Sequence, residues 1–292
     1  MSENFASSQT AVAEPKPAGR IAQRFRALSE AGEMGLVAYI TAGDPSLEAT
    51  EKIVLAAANA GADVIELGVP FSDPVADGPT IQRASDRALR GGTTLADVIE
   101  LVRNIRAHSQ VPLVLFSYFN PILQMGLEKF AAAAAAAGAD GVLATDLTPE
   151  EAVEYRATLQ ARALDSIFLA APTSTDARLA QIGAASSGFL YVISRAGVTG
   201  ERAELPAELP ALIRRVRKFT TLPIAVGFGI SLPTHVTVLG GIADAAVVGS
   251  ALMAEIEKAA SPDAAATAVA ERIRVLKSAA RTGVSRRSSE AS

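Results

Sequence analysis

The sequence predicts an α/β fold, a single closed (β/α)8 TIM barrel with an extra N-terminal helix, and three observations carry that prediction. Eight short apolar runs alternate with longer helical patterns along 292 residues. Each run holds β-branched or aromatic residues and is nearly apolar throughout, as a parallel strand covered on both faces must be. Helical sequence follows each run, which favours closure into a barrel over an open doubly wound sheet.

Taken in order, residues 1–18 are Ala, Ser, Glu, Lys and Pro without hydrophobic period and read as a disordered leader. An amphipathic helix over 21–31 is placed to cap the barrel bottom. The first strand falls at 36–41 and its helix at 46–60. Gly61 then supplies the left-handed stop before the strand at 63–68. A turn-rich loop leads to a helix beginning at Pro79, and a further helix spans 94–107. The strand at 112–118 precedes a helix at 126–137, whose alanines read as tight packing, with Gly138 as its stop. The strand at 141–147 is followed by Thr148-Pro149-Glu150-Glu151, which reads as the capped start of a helix to 163. Strands at 166–171, 188–194 and 223–228 come next, with a helix at 206–219 before the last of them. Ser231-Leu232-Pro233 reads as another capped start and Gly240 as its left-handed stop, ahead of the strand at 245–249. The catalytic barrel is thus expected over 19–280. The Arg/Ser-rich stretch 281–292 reads as a flexible tail. No internal repeat is visible beyond the βα alternation.

Composition removes much chemistry. Without cysteine there are no disulfides, thiol nucleophiles or thiolate metal sites, which suits a reducing cytoplasm. A formal charge of −4 gives no reason to expect a nucleic-acid partner. No run of strongly apolar residues is long enough for a membrane span. The two histidines, His108 and His235, fall on or beside helices. The lysines (Lys16, Lys52, Lys129, Lys218, Lys258 and Lys277) lie in the leader or on helices, so a Schiff-base mechanism lacks its amine.

Chemistry in such a barrel sits at the carboxyl ends of the strands. There, Glu66 stands in Asp63-Val64-Ile65-Glu66-Leu67-Gly68. A carboxylate in an apolar run is either ion-paired, with Arg195 as a candidate, or neutral and functional. Asp77, in the loop that follows, either caps the helix starting at Pro79 or reaches into the barrel mouth. Gly227-Phe228-Gly229-Ile230-Ser231 and Val248-Gly249-Ser250-Ala251 end two adjacent strands. Glycine turns there, with a helix N-terminus and the Ser250 hydroxyl, suit a phosphate group. The loop Arg195-Ala196-Gly197-Val198-Thr199-Gly200 is a third contributor. Carboxylates plus phosphate, without lysine or His-held metal, point to general acid–base work on a phosphorylated substrate whose own skeleton accepts electrons. On these residues alone, another phosphosugar-binding barrel or a partner-activating scaffold stays open.

One stretch is specific. Glu66-Leu67-Gly68-Val69-Pro70-Phe71-Ser72-Asp73-Pro74, followed by Ala76-Asp77-Gly78-Pro79-Thr80-Ile81-Gln82, closely resembles the signature of the tryptophan synthase alpha chain family. The resemblance continues through Tyr39-Ile40-Thr41-Ala42-Gly43-Asp44-Pro45, Tyr118-Phe119-Asn120-Pro121-Ile122, Ser194 to Gly200 and the 227–231 turn. It implies a lyase that cleaves indole-3-glycerol phosphate into indole and glyceraldehyde 3-phosphate. Glu66 would be the acid/base that protonates indole C3, and Asp77 the acceptor for the indole N–H. Tyr39, Phe116 and Tyr118 would line the indole pocket, with Tyr191 near the glycerol moiety. Gly200, Gly229, Gly249 and Ser250 would bind phosphate. The loops around Asp73 and Thr199 would close over substrate, Thr199 bonding Asp77. The resemblance also implies an α2β2 complex, in which pyridoxal phosphate belongs to the beta chain and no cofactor to this one. Ala38 and Thr148 stand where the family often has proline.

Overall fold

A computed structural model describes residues 19–194, 205–227 and 229–290, the stretch 282–290 for its backbone alone. Arg195, Thr199, Gly200 and Phe228 therefore lie outside the described residues, as does the leader.

The strands are β1 (Gly35–Thr41), β2 (Val64–Gly68), β3 (Leu113–Ser117), β4 (Gly141–Ala144), β5 (Asp165–Ile167), β6 (Leu169–Ala170), β7 (Leu190–Ile193), β8 (Ile224–Gly227) and β9 (Ala245–Val248). All pairings are parallel, in the order β5-β4-β3-β2-β1-β9-β8-β7-β6. The nine strands form the expected eight-membered barrel, because β5 and β6 are two halves of the run predicted at 166–171. The first half pairs with β4 and the second with β7. Phe168, buried between them, marks where the strand changes partner. The two outer members of the order are thus one continuous segment, and the barrel closes through it.

The helix Arg20–Glu30 covers the bottom, burying Ile21, Phe25 and Leu28. Phe25 meets Phe189, just before β7, with ring centroids 5.8 Å apart. Around that floor runs a recurrent device that the sequence pattern did not reveal. Asp63, Asp140 and Asp244 each stand at the foot of a strand, each after alanine. Each accepts a hydrogen bond from an amide at the start of the neighbouring strand: Leu36 N at 2.6 Å, Leu113 N at 2.8 Å and Ile224 N at 2.7 Å. Cations from distant segments complete the sites. Asp63 takes Arg24 and Lys277, Asp140 takes Arg20 and Arg106, and Asp244 takes Arg217. Asp63 and Asp140 are buried, and a buried carboxylate needs that much compensation. Lys277 pins the long helix Pro262–Glu290 under the barrel, bonding the Met34 carbonyl at 3.2 Å as well.

Several local expectations hold and three are corrected. Ser46 and Thr94 cap their helices through side-chain oxygens, the second within a capping box. Gly61 and Gly138 adopt the left-handed stop. Gly240 does not: its φ is −54°, because the chain turns on through Gly241 before β9. Thr148-Pro149-Glu150-Glu151 forms a turn, and its helix begins only at Val153; Thr148 spends its hydroxyl on the Glu151 side chain instead of a helix amide. Ser231 is not a cap either, since Leu232 occupies that position. The last helix continues in its backbone to Glu290. Among the described residues no helix is long and apolar enough to cross a membrane.

Candidate active site

The parallel register builds the upper end of the barrel. Tyr39 on β1 lies beside Glu66 on β2, and Gly68 lies beside Phe116 on β3. In-register neighbours of parallel strands point the same way, so Tyr39 and Glu66 share a face, as do Gly68 and Phe116. Tyr39 packs edge-on to Phe116 with centroids 5.1 Å apart. Its hydroxyl lies across Gly68, where a Cβ would stand 2.1 Å from the oxygen. On the opposite wall Tyr191 of β7 lies across Gly227 in the same way, again with 2.1 Å to an imagined Cβ. Gly227 is therefore glycine to seat a tyrosine, a requirement the sequence pattern hid within a glycine-rich turn.

Glycine at 227 yields a testable consequence. Gly227→Ala should force Tyr191 out of place and destabilise the fold by about 1–3 kcal/mol, the usual range for an overpacked core. Denaturant unfolding of the variant measures this, and an unchanged midpoint would show that the ring has room to move.

Glu66 is fully buried, and neither carboxylate oxygen has a hydrogen-bond partner among the described residues. Burial in this apolar strand pushes its pKa up to about 8. At neutral pH the group holds a proton. The ion-pair alternative named Arg195, which lies outside the described residues. No salt bridge to Glu66 is formed among those described.

Asp77 resolves the other open alternative. The helix Pro79–Arg90 has Gly78 at its N-cap and no side-chain cap. Asp77 instead turns inward, 8% exposed, and accepts a hydrogen bond from the Tyr118 hydroxyl at 3.1 Å. That hydroxyl also accepts from the Ala76 amide at 2.9 Å, and Gln82 donates to the Asp77 carbonyl at 2.8 Å. The loop is thereby tied to both the residue that follows β3 and its own helix. Phe71 covers Tyr118 with centroids 5.0 Å apart. Burial raises the Asp77 pKa to about 6, the bond from Tyr118 working against the rise. Both carboxylates share surroundings with the tyrosines. Burial, then the charges of Asp77 and Glu66, raise the Tyr39 pKa, and burial followed by Glu66 raises that of Tyr191.

At the far side, Gly249 is the N-cap of the helix Ser250–Lys258, without a side-chain cap, and packs against Tyr39. The first amides of that helix lack intrahelical partners, as at any helix start. Gly229 adopts a φ of 90°, so the turn after β8 needs glycine there. His108 ends a surface helix and His235 is buried in the short helix Pro233–Leu239. Among the described residues no group of three or more His, Asp or Glu side chains is arranged to hold a metal.

A buried carboxyl that keeps its proton at neutral pH and a second carboxylate beside an aromatic wall could do acid–base work on an aromatic substrate, and the glycine turn after β8 and the helix start after β9 could offer backbone amides to an anion. The family model described as tryptophan synthase alpha chain matches residues 25–281. The chain belongs to the tryptophan synthase alpha chain family. It is similar to the tryptophan synthase alpha chain of Solibacter usitatus, with 54% identity over 239 residues, covering 82% of this chain and 90% of the relative. The alpha chain of Citrifermentans bemidjiense is 52% identical over the same coverage. Among solved structures, tryptophan synthase subunit alpha from Legionella pneumophila superposes with a TM-score of 0.83 at 38% identity, covering 90% of this chain and 99% of that one. A Mycobacterium tuberculosis tryptophan synthase structure gives a TM-score of 0.83 at 35% identity and the same coverage. As a member of that family the chain is a carbon–carbon lyase of tryptophan biosynthesis, cleaving indole-3-glycerol phosphate to indole and glyceraldehyde 3-phosphate.

Proposed function

We propose that Glu66 and Asp77 carry this cleavage between them. Glu66 protonates C3 of the indole ring. The ring becomes a cationic indolenine whose C=N⁺ draws in the electron pair as the bond from C3 to the glycerol carbon breaks. The hydroxyl on that carbon loses its proton as the aldehyde forms, and Glu66, now a carboxylate, is the base that takes it. Asp77 accepts the indole N–H and stabilises the positive charge that grows on the ring in the transition state. Tyr39, Phe116 and Tyr118 line the ring pocket, Tyr191 stands beside the glycerol chain, and Gly229, Gly249 and Ser250 face the phosphate. The observation that supports this most is the fully buried Glu66 carboxyl, without a partner among the described residues, on the strand beside Tyr39. Appearance of indole from indole-3-glycerol phosphate with the purified chain tests the reading, and the absence of indole even with a beta chain added would overturn it.

The same reading sets a pH profile. Asp77 must be ionised and Glu66 protonated, so kcat/KM should fall below about 6 and above about 8, tracking the raised values of the two groups. The alkaline limb is the discriminating one, because a phosphate monoester itself titrates at about 6. A rate that stays level from neutrality past pH 9 would take the acid role from Glu66.

The proposal extends to the assembly. The alpha chain works with a beta chain in an α2β2 complex in the cytoplasm, and the pyridoxal phosphate of the second reaction is held by the beta chain. Among the described residues no lysine lies at a strand end, which supports leaving that cofactor to the partner.

A further inference from the structure

The turn after β8 is gripped from behind by two residues that neither the glycine motif nor the barrel pattern picks out. Arg272, on the helix Pro262–Glu290, donates from a terminal guanidinium nitrogen to the Ser231 carbonyl at 2.7 Å. The Nδ1 atom of His235, buried in the short helix, accepts from the Ser231 amide at 3.3 Å and from the Leu232 amide at 3.5 Å. The peptide between Ser231 and Leu232 is thus held at both its oxygen and its nitrogen, and the peptide before it is held at its nitrogen. Two amides of the turn remain, those of Gly229 and Ile230, and neither donates to a group among the described residues. Backbone N–H groups left over in this way point where an anion is stabilised.

We infer that Arg272 and His235 are positioning residues for substrate phosphate, clamping the 229–231 turn in the shape that presents the Gly229 and Ile230 amides to the anion. The inference rests on the phosphate assignment made under Proposed function. His235 acts as the third residue of its helix, reaching back to the amide at the cap as the acid of a capping box does. Arg272 supplies what a helix cap does not, a fixed direction for the carbonyl. Neither side chain touches the substrate, so loss of either should leave the bond-breaking step alone and weaken the hold on the anion.

The test compares Arg272→Met, which keeps the stem and removes the donor, with Arg272→Lys, which keeps a donor, and with His235→Leu, which removes the acceptor. Steady-state cleavage of indole-3-glycerol phosphate and competitive inhibition by inorganic phosphate are measured for each. In Arg272→Met and His235→Leu, KM and the phosphate inhibition constant should rise together, on the order of ten-fold for the charged hydrogen bond of Arg272 and roughly several-fold for the neutral ones accepted by His235. The value of kcat should stay near the parent's, and Arg272→Lys should recover most of the loss. A merely structural role would lower thermal stability or kcat without moving the phosphate constant, and that pattern would overturn the inference. An inhibition constant unchanged in all three variants would do the same. If the parent cleaves substrate but phosphate fails to inhibit it, the phosphate assignment itself falls, an outcome separable from failure of the clamp.

Discussion

Glu66→Gln should reduce indole release from indole-3-glycerol phosphate on the order of a thousand-fold, the middle to upper range for loss of a general acid. Gln keeps the size of the side chain and cannot deliver the proton to C3. Asp77, the other carboxylate of the loop and strand, is tied to Tyr118 and does not replace it. Binding of inorganic phosphate should be unchanged, because the proposed rim of amides belongs to β8, β9 and the turns that follow them. Stability should respond in the opposite direction. The folded protein raises the Glu66 pKa from 4.5 to about 8, so the carboxyl favours folding most when it is protonated. That contribution is complete below about 4.5 and is lost as pH rises through about 8. The melting temperature of Glu66→Gln relative to the parent should therefore climb across this window and level off above it. Near-normal turnover in the variant would remove Glu66 from its role, and a melting difference that ignores pH would contradict its burial as an ionisable group.

The second large effect is expected at Asp77. Asp77→Asn should lower kcat on the order of a hundred-fold or more, the range seen when a group aimed at transition-state charge is removed. Asn still accepts the hydrogen bond from Tyr118, so the loop should stay in place and the melting temperature should change little. The substitution is also a test of the capping alternative. Asn is as good a helix cap as Asp, so a residue that served only as a cap would lose nothing. An unaffected cleavage rate would return Asp77 to a structural role, against its placement behind Gly78 and beside Tyr118.

Much of the molecule was legible from local pattern. Apolar β-branched runs located the strands because burial on both faces of a parallel barrel demands them, and Ser46, Thr94, Gly61 and Gly138 punctuated helices for local backbone reasons. Glu66 stood out because an acid inside such a run is costly wherever the chain goes. The motif around it carried the family.

What the sequence alone determined, then, was where strands and helices lie, that Glu66 sits within an apolar strand, and which glycines end strands. Only the tertiary structure decided whether Asp77 capped a helix or faced the mouth, that the fifth strand splits its pairing at Phe168, and that Gly68 and Gly227 are empty to seat Tyr39 and Tyr191. It also decided that Asp63 is partnered by Lys277 and the Ser231 carbonyl by Arg272, both far along the chain. The reason is one of range. Hydrophobic period and capping depend on residues a few positions apart, whereas a side chain's direction and its polar partners depend on which distant segments the closed barrel brings alongside it.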